Sequence, residues 1–258
     1  MKTYSLITGA SGGIGFELAK LLAKDKFNLI LVARSEAKLN EIKLSLEKEF
    51  GIEVKIFVFD LSVPDSAEKL YSTFLKENLQ IDILINNAGF GDFGAFAECD
   101  WSKQEMMINL NVLALAKLTR LFLPAMIKEG NGRILNVASV AAFMPGSLMS
   151  VYYASKSFVL SFSYAIANEL KGSGVTVTVL CPGPTRTGFV DAASLDDSKL
   201  FKILKPASSA NVAKFGYKCM MNGRLLAIPG FLNRIMVTSV RFSPRKMVTA
   251  ITGKLHEK

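Results

Sequence analysis

Six short apolar runs mark the chain, at residues 4–8, 27–33, 54–59, 81–86, 133–138 and 175–181. The first five are each followed by a stretch of helical spacing, at 14–24, 35–50, 64–77, 103–128 and 152–170. A continuous apolar run such as 27–33 needs cover on both faces of its sheet. Runs of that kind alternating with helices predict a parallel sheet with right-handed crossovers and helices on both faces. Residues 225–228 add a last short strand. The expectation is an α/β fold, a doubly wound parallel sheet of about seven strands. No repeat, low-complexity tract or linker interrupts the pattern, so residues 1–258 read as one domain.

Composition narrows the class. Half of the residues are hydrophobic and 21% are charged, enough to bury a substantial core. Cys99, Cys181 and Cys219 lie far apart and fit neither a metal site nor a disulfide framework. His256 is the sole histidine, which excludes a multi-histidine metal centre, and no metal is expected. The first apolar run is too short for a secretory signal. Residues 110–126 come nearest to a membrane span, but Asn111, Lys117 and Arg120 interrupt them. The simple reading is a cytoplasmic protein. Net charge is +9, from 31 basic and 22 acidic residues. The basic residues are scattered and form no nucleic-acid module, so nucleic acid is not an expected partner. A solvated basic surface is the plain reading, and attraction to an anionic ligand or membrane the sharper one.

The turn from the first strand to the first helix reads Thr8-Gly9-Ala10-Ser11-Gly12-Gly13-Ile14-Gly15. Gly9, Gly13 and Gly15 at this junction allow a tight turn and close approach to a pyrophosphate. Ser11 and Ile14 lie between them, and the helix N-terminus supplies free N–H groups. The same residues spell Gly-x-Ser-x-Gly, the nucleophile elbow of hydrolases. That reading fails on position: the turn follows the first strand, no upstream loop remains for an oxyanion hole, and a terminal His256 is a poor base. The second strand ends at Ala33-Arg34 with no carboxylate to bind a ribose diol. Arg34, with Lys38 one turn on, suits a 2′-phosphate and favours NADP(H).

Further along, Tyr152 and Lys156 stand four apart on a helix, hence on one face, and Ser139 lies thirteen residues upstream. An ammonium near a phenol favours the phenolate, and a tuned phenol exchanges a proton with a carbonyl oxygen. Tyr-x-x-x-Lys alone is a weak signal.

With the glycine turn, Asn86-Asn87-Ala88-Gly89, Ser139, Tyr152, Lys156 and Pro182-Gly183 in order, the chain resembles the short-chain dehydrogenase/reductase family. The motifs run from Thr8 to Thr187. The resemblance implies a Rossmann-type fold and NADP(H)-dependent reduction of a ketone or aldehyde, reversible to alcohol oxidation. It implies that Asp60 and Leu61 border the adenine and that Asn87, Ala88 and Gly89 line the cofactor. Pro182, Gly183, Thr185 and Thr187 match the segment that holds the nicotinamide amide. It also implies the catalytic set Asn111, Ser139, Tyr152 and Lys156. Ser139 holds the substrate oxygen and Tyr152 protonates it. Lys156 lowers the Tyr152 pKa and binds the nicotinamide ribose, and Asn111 holds a relay water. Asn109 competes with Asn111, which better fits the interval to Gly132. Tyr153 matches no family function and reads as packing. A sensor of the NADP(H) ratio without turnover is the alternative; it would have no need of a tuned phenol.

Phe90, Phe93, Phe143, Met144, Met149 and Phe189 are candidate lining for a hydrophobic carbonyl substrate, beside Ser139 and Tyr152. Residues 188–210 resemble the family's substrate lid. Helices 103–128 and 152–170 are apolar beyond one stripe, which the resemblance answers with a homodimer or homotetramer. Residues 231–258 form a basic-apolar extension that departs from the compact tetrameric reductases. It resembles the branch with steroid and 3-ketoacyl-thioester reductases. A flap over the substrate site or an interface is its plain reading; weak peripheral contact with an anionic membrane is the sharper one.

Overall fold

A computed structural model describes residues 2–186 and 206–256. Seven parallel strands form one sheet in the order β3-β2-β1-β4-β5-β6-β9. They are β1 (Thr3–Thr8), β2 (Asn28–Ala33), β3 (Val54–Val58), β4 (Gln80–Asn86), β5 (Gly132–Val137), β6 (Val175–Leu180) and β9 (Leu226–Ala227). The expected doubly wound α/β sheet is therefore present. Alternate side chains enter opposite layers, as the pleat requires. Ile7, Leu29 and Leu31 face a core shared with Leu18, Leu22 and Leu39. Leu6, Ile30 and Val32 face a second core with Leu70, Phe74, Leu118 and Phe122. Each such fully buried side chain contributes about 1.5–3 kcal/mol from area removed from water.

The first layer is built by α1 (Gly13–Lys24), α2 (Glu36–Phe50) and α7 (Ser209–Met221). The second is built by α3 (Ser66–Lys76), α5 (Leu115–Glu129) and α6 (Ser150–Glu169). Ser35 caps α2, its Oγ accepting from Lys38 N at 3.5 Å, and Gly51 ends it at φ 63°. Pro64 stands ahead of α3 rather than in its first turn, and Asp65 turns the chain at φ 62°. The periodicity of 103–128 predicts one helix. The chain instead runs as α4 (Trp101–Ile108), a π-helical turn at Asn109–Ala114, and α5. By length and composition Trp101–Glu129 is apolar enough to cross a membrane. Its buried stripe, Leu115, Leu118, Phe122 and Met126, packs in the protein core, which accounts for the apolarity.

Beyond β6, β7 (Thr185–Arg186) pairs in parallel with β8 (Ala207–Ser208), with Thr185 opposite Ala207 and Arg186 opposite Ser208. This joins the strand just before the segment expected to be a lid, residues 188–210, to a strand near its end; residues 187–205 lie outside the described residues. The chain closes with α8 (Phe231–Val240) and α9 (Arg245–His256). The sequence pattern does not announce α7. Its inner face runs Val212, Gly216, Met220, and Gly216 is tolerated because a Cβ there would meet Leu180 Cδ2 at 2.7 Å.

At the glycine turn, Gly9 adopts φ 64°. Gly15 is held against it: an added Cβ would fall on the Gly9 carbonyl and lie 2.5 Å from Asn87 Nδ2. Gly15→Ala should cost about 2 kcal/mol through overpacking and lower the melting temperature by roughly 4–8 °C. Thermal unfolding followed by circular dichroism checks this, and an unchanged midpoint would contradict the close approach.

Candidate active site

The carboxyl ends of β1, β2, β4, β5 and β6 open into one cavity of about 760 Å³ among the described residues. Gly9, Ser11, Gly13 and Ile14 from the glycine turn line one end. Arg34 and Lys38 from the β2–α2 junction and Asp60 and Leu61 after β3 lie alongside. Asn87, Ala88 and Gly89 follow β4. Ser139, Tyr152, Lys156, Pro182, Gly183 and Thr185 line the middle. The expected cofactor set is thus gathered at one cleft, with two exceptions. Gly15 does not line it; it packs α1 against Gly9 from behind. Thr187 lies outside the described residues.

The turn at the cavity floor is held by side-chain hydrogen bonds. Thr8 Oγ1 accepts from Asn87 N and Ala88 N, both at 3.0 Å. Asn87 Nδ2 donates to Thr8 O at 3.0 Å and Gly9 O at 3.1 Å. Beside it, Asp60 Oδ1 accepts from Ser62 N at 2.9 Å and Ser62 Oγ at 2.6 Å. Asp60 Oδ2 lies 3.8 Å from Arg34 Nη1, whose side chain is 74% exposed. A pair this long and exposed holds Arg34 weakly.

Tyr152 and Lys156 are buried on the inner face of α6. Lys156 Nζ donates to Val137 O at 2.9 Å and lies 5.9 Å from the centre of the Tyr152 ring. Ser139, extended at the end of β5, accepts from Ala141 N at 3.1 Å, and its side chain also bonds the Tyr152 phenol. Burial pushes the Tyr152 phenol up to about 12, against the opposing pull of Ser139. Burial also brings the Lys156 ammonium down to about 8. The expectation of a phenol depressed by Lys156 is therefore not met by the protein alone. Desolvation sets the direction, and the Lys156 ammonium donates to the Val137 carbonyl rather than to the phenol.

Asn111 sits in the π-helical turn and is 1% exposed. Its Oδ1 accepts from Phe90 N at 3.1 Å; its Nδ2 donates to Phe90 O at 2.9 Å and Ser155 Oγ at 3.1 Å. The side chain therefore ties α6 to the loop after β4 and does not line the cavity. Gly89 must be small, because a Cβ there would lie 2.9 Å from Asn111 Oδ1 and 3.3 Å from Lys156 Nζ.

The remaining wall is apolar. Phe90, Met144 and Met149 line it, as expected. Phe93 and Phe143 do not: Phe93 packs on the cluster behind Tyr152, and Phe143 on the cluster that holds Val237. Phe189 lies outside the described residues. Tyr153, read from sequence as packing alone, lines the cavity as well as packing, with its ring 6.0 Å from that of Tyr152. The extension read as a flap over the substrate site or an interface does reach the cavity: Met236, Thr252 and Leu255, not singled out in the sequence, bring α8 and α9 to it. Their only signal in the sequence is the mixture of apolar and basic residues over 231–251, which does not single out individual positions.

Residues 3–198 match the family model described as short chain dehydrogenase. The chain belongs to that family. A ketoacyl reductase of Nostoc sp. is 36% identical over 207 residues, 80% of this chain and 72% of the relative. The rat (Rattus norvegicus) very-long-chain 3-oxoacyl-CoA reductase is 30% identical over 247 residues, 93% of this chain and 77% of the relative. A solved short-chain dehydrogenase from Sphingobium yanoikuyae in complex with NADPH superimposes with a TM-score of 0.83 at 31% identity. That match covers 93% of this chain and 94% of the other.

Lys156, lowered by burial, costs stability while it is charged and desolvated. The cost is complete below about pH 8 and disappears as pH rises toward the unfolded value of 10.5. Against a Lys156→Met variant, the wild type should therefore gain up to about 3 kcal/mol between pH 7 and pH 10. Melting midpoints of both proteins across that range measure it; parallel curves would contradict the burial.

Proposed function

We propose that this short-chain dehydrogenase reduces a bulky apolar ketone with NADPH, Tyr152 donating the proton. The observation that carries this reading is the continuity of the cavity. It runs from a glycine turn with N–H groups at a helix start, past Arg34 and Lys38, to Tyr152, Ser139 and Lys156, and ends in an apolar pocket. Its volume suits a sizeable ligand, since such sites span about 300–1,000 Å³.

The residues fit a dinucleotide. The left-handed Gly9 and the close approach of Gly15 keep the turn flat enough for a pyrophosphate against the α1 N-terminus. Arg34 and Lys38 hold a 2′-phosphate, and the weakness of the Arg34–Asp60 pair leaves the guanidinium able to do so. Asp60 and Leu61 border the adenine. Asn87–Gly89, Pro182, Gly183 and Thr185 hold the nicotinamide half. When bound, the reduced nicotinamide supplies hydride to the carbonyl carbon.

The protein's residues do the rest. Ser139 donates to the carbonyl oxygen. Tyr152, held neutral with its pKa near 12, keeps its proton at neutral pH and gives it to that oxygen as negative charge develops. Lys156 places positive charge behind the phenol and stabilises the phenolate left after transfer. Asn111 positions α6 and the Phe90 loop through its bonds to Phe90 O and Ser155 Oγ. Phe90, Met144, Met149, Tyr153, Met236 and Leu255 exclude water and accept the apolar part of the substrate. The names of the ketoacyl and very-long-chain 3-oxoacyl-CoA reductases support a 3-oxoacyl thioester as the first ketone to test.

Tyr152→Phe should bind NADPH with near wild-type affinity and lose turnover by about 10²–10⁴-fold. Nucleotide fluorescence titration and NADPH consumption with a panel of 3-oxoacyl thioesters and bulky ketones read both. Turnover above a tenth of wild type would remove Tyr152 from the acid role. Arg34→Asp should abolish the preference for NADPH over NADH in kcat/KM; a preference that survives places the 2′-phosphate elsewhere.

A further inference from the structure

Residues 206–256 contain eight Lys and Arg and no Asp or Glu. The whole chain carries nine excess positive charges, so the other residues taken together are nearly neutral. The basic character that looks scattered when counted over the full length is concentrated on α7, α8 and α9. On α8 and α9 it is interleaved with large apolar side chains left in solvent. Phe231 is 76% exposed, Leu232 73% and Phe242 85%; Ile235, Met247 and Ile251 are about half exposed. Phe231 and Ile235 stand one turn apart on α8, as Met247 and Ile251 do on α9. The inner sides of the same helices are buried through Val237, Val248 and Thr252. Among the described residues, no ion pair joins Arg241, Arg245, Lys246 or Lys254 to an acidic side chain. Soluble surfaces scatter single apolar residues; a contiguous group beside unpaired cations marks a contact surface.

We propose that α8, the turn at 241–244 and α9 dock on an anionic lipid bilayer. Phe231, Leu232 and Phe242 enter the interface, while Arg241, Arg245 and Lys246 meet the headgroups. Interfacial helices combine such cations with Phe and Leu on the face that enters the lipid. An acidic protein would match the charge but would need a fitted pocket for each exposed aromatic ring; a bilayer accepts them without one. The same two helices present Met236, Thr252 and Leu255 to the cavity. Docking therefore brings the apolar wall of the cavity next to lipid, a route for an apolar substrate. That last step rests on the proposed carbonyl reduction; the docking itself does not.

The test is flotation of the full chain with vesicles of phosphatidylcholine alone or mixed with phosphatidylglycerol, at low salt and without cofactor or substrate. The wild type should float with the anionic vesicles and stay behind with the neutral ones. The triple variant Arg241→Ala, Arg245→Ala, Lys246→Ala should bind about a hundredfold more weakly. The variant Phe231→Ser, Leu232→Ser, Phe242→Ser should stay in the soluble fraction with an unchanged melting temperature and light-scattering mass. Three results would overturn the proposal. One is a wild type that ignores anionic vesicles. Another is a serine variant that floats like the wild type, which leaves only diffuse charge attraction. The third is a serine variant with a smaller solution mass, which assigns the patch to a second copy of the chain. Loss of carbonyl reduction in solution touches none of these readouts, so the two readings fail separately.

Discussion

Four hydrogen bonds between Thr8-Gly9 and Asn87-Ala88 set the geometry of the cleft. Thr8 Oγ1 receives two backbone N–H groups from the end of β4, and Asn87 Nδ2 returns two bonds to the end of β1. These strands are neighbours in the sheet, but their ends lie nearly eighty residues apart in sequence. Because Asn87 occupies the space behind the glycine turn, α1 can approach only if residue 15 has no side chain. The turn's left-handed Gly9, the start of α1 and the loop after β4 thus form one rigid corner. The cavity opens from that corner.

A second constraint lies one strand further along. Gly89, Asn111 and Lys156 meet with almost no free space. Asn111 spends its amide on Phe90 and Ser155, and Lys156 spends a donor on the Val137 carbonyl. The π-helical turn follows from this packing, since it lets Asn111 reach the Phe90 loop while α5 keeps its apolar stripe on the sheet. The cost of such close burial is electrostatic. Burial pushes both Tyr152 and Lys156 toward their neutral forms.

The two ends of the cavity differ in how they are built. The nucleotide end is made of short turns directly at strand ends, where backbone groups converge. The apolar end borrows its wall from α8 and α9, which stand outside the sheet and attach through a few contacts, such as Thr252 Oγ1 to Pro145 O at 2.8 Å. Variation in those helices can reshape the apolar end without disturbing the rigid corner, a common division in α/β folds.

The alternation of apolar runs and helical stretches was enough to predict the sheet, because strand and helix periods are local properties of the chain. The glycine turn, Ser139, Tyr152, Lys156 and Arg34 were legible for the same reason: their chemistry depends on residue type and short spacing. What spacing could not reveal was set by contacts between distant residues. Gly15 lies behind the cleft because Asn87 comes to meet it. Asn111 turns its side chain away from the cavity because Phe90 and Ser155 claim it. Tyr153 shares the wall, while Phe93 and Phe143 do not, because three-dimensional neighbours decide which side of a ring is covered. The direction of the Tyr152 shift likewise depends on burial by residues from many parts of the chain, which short spacing does not reveal.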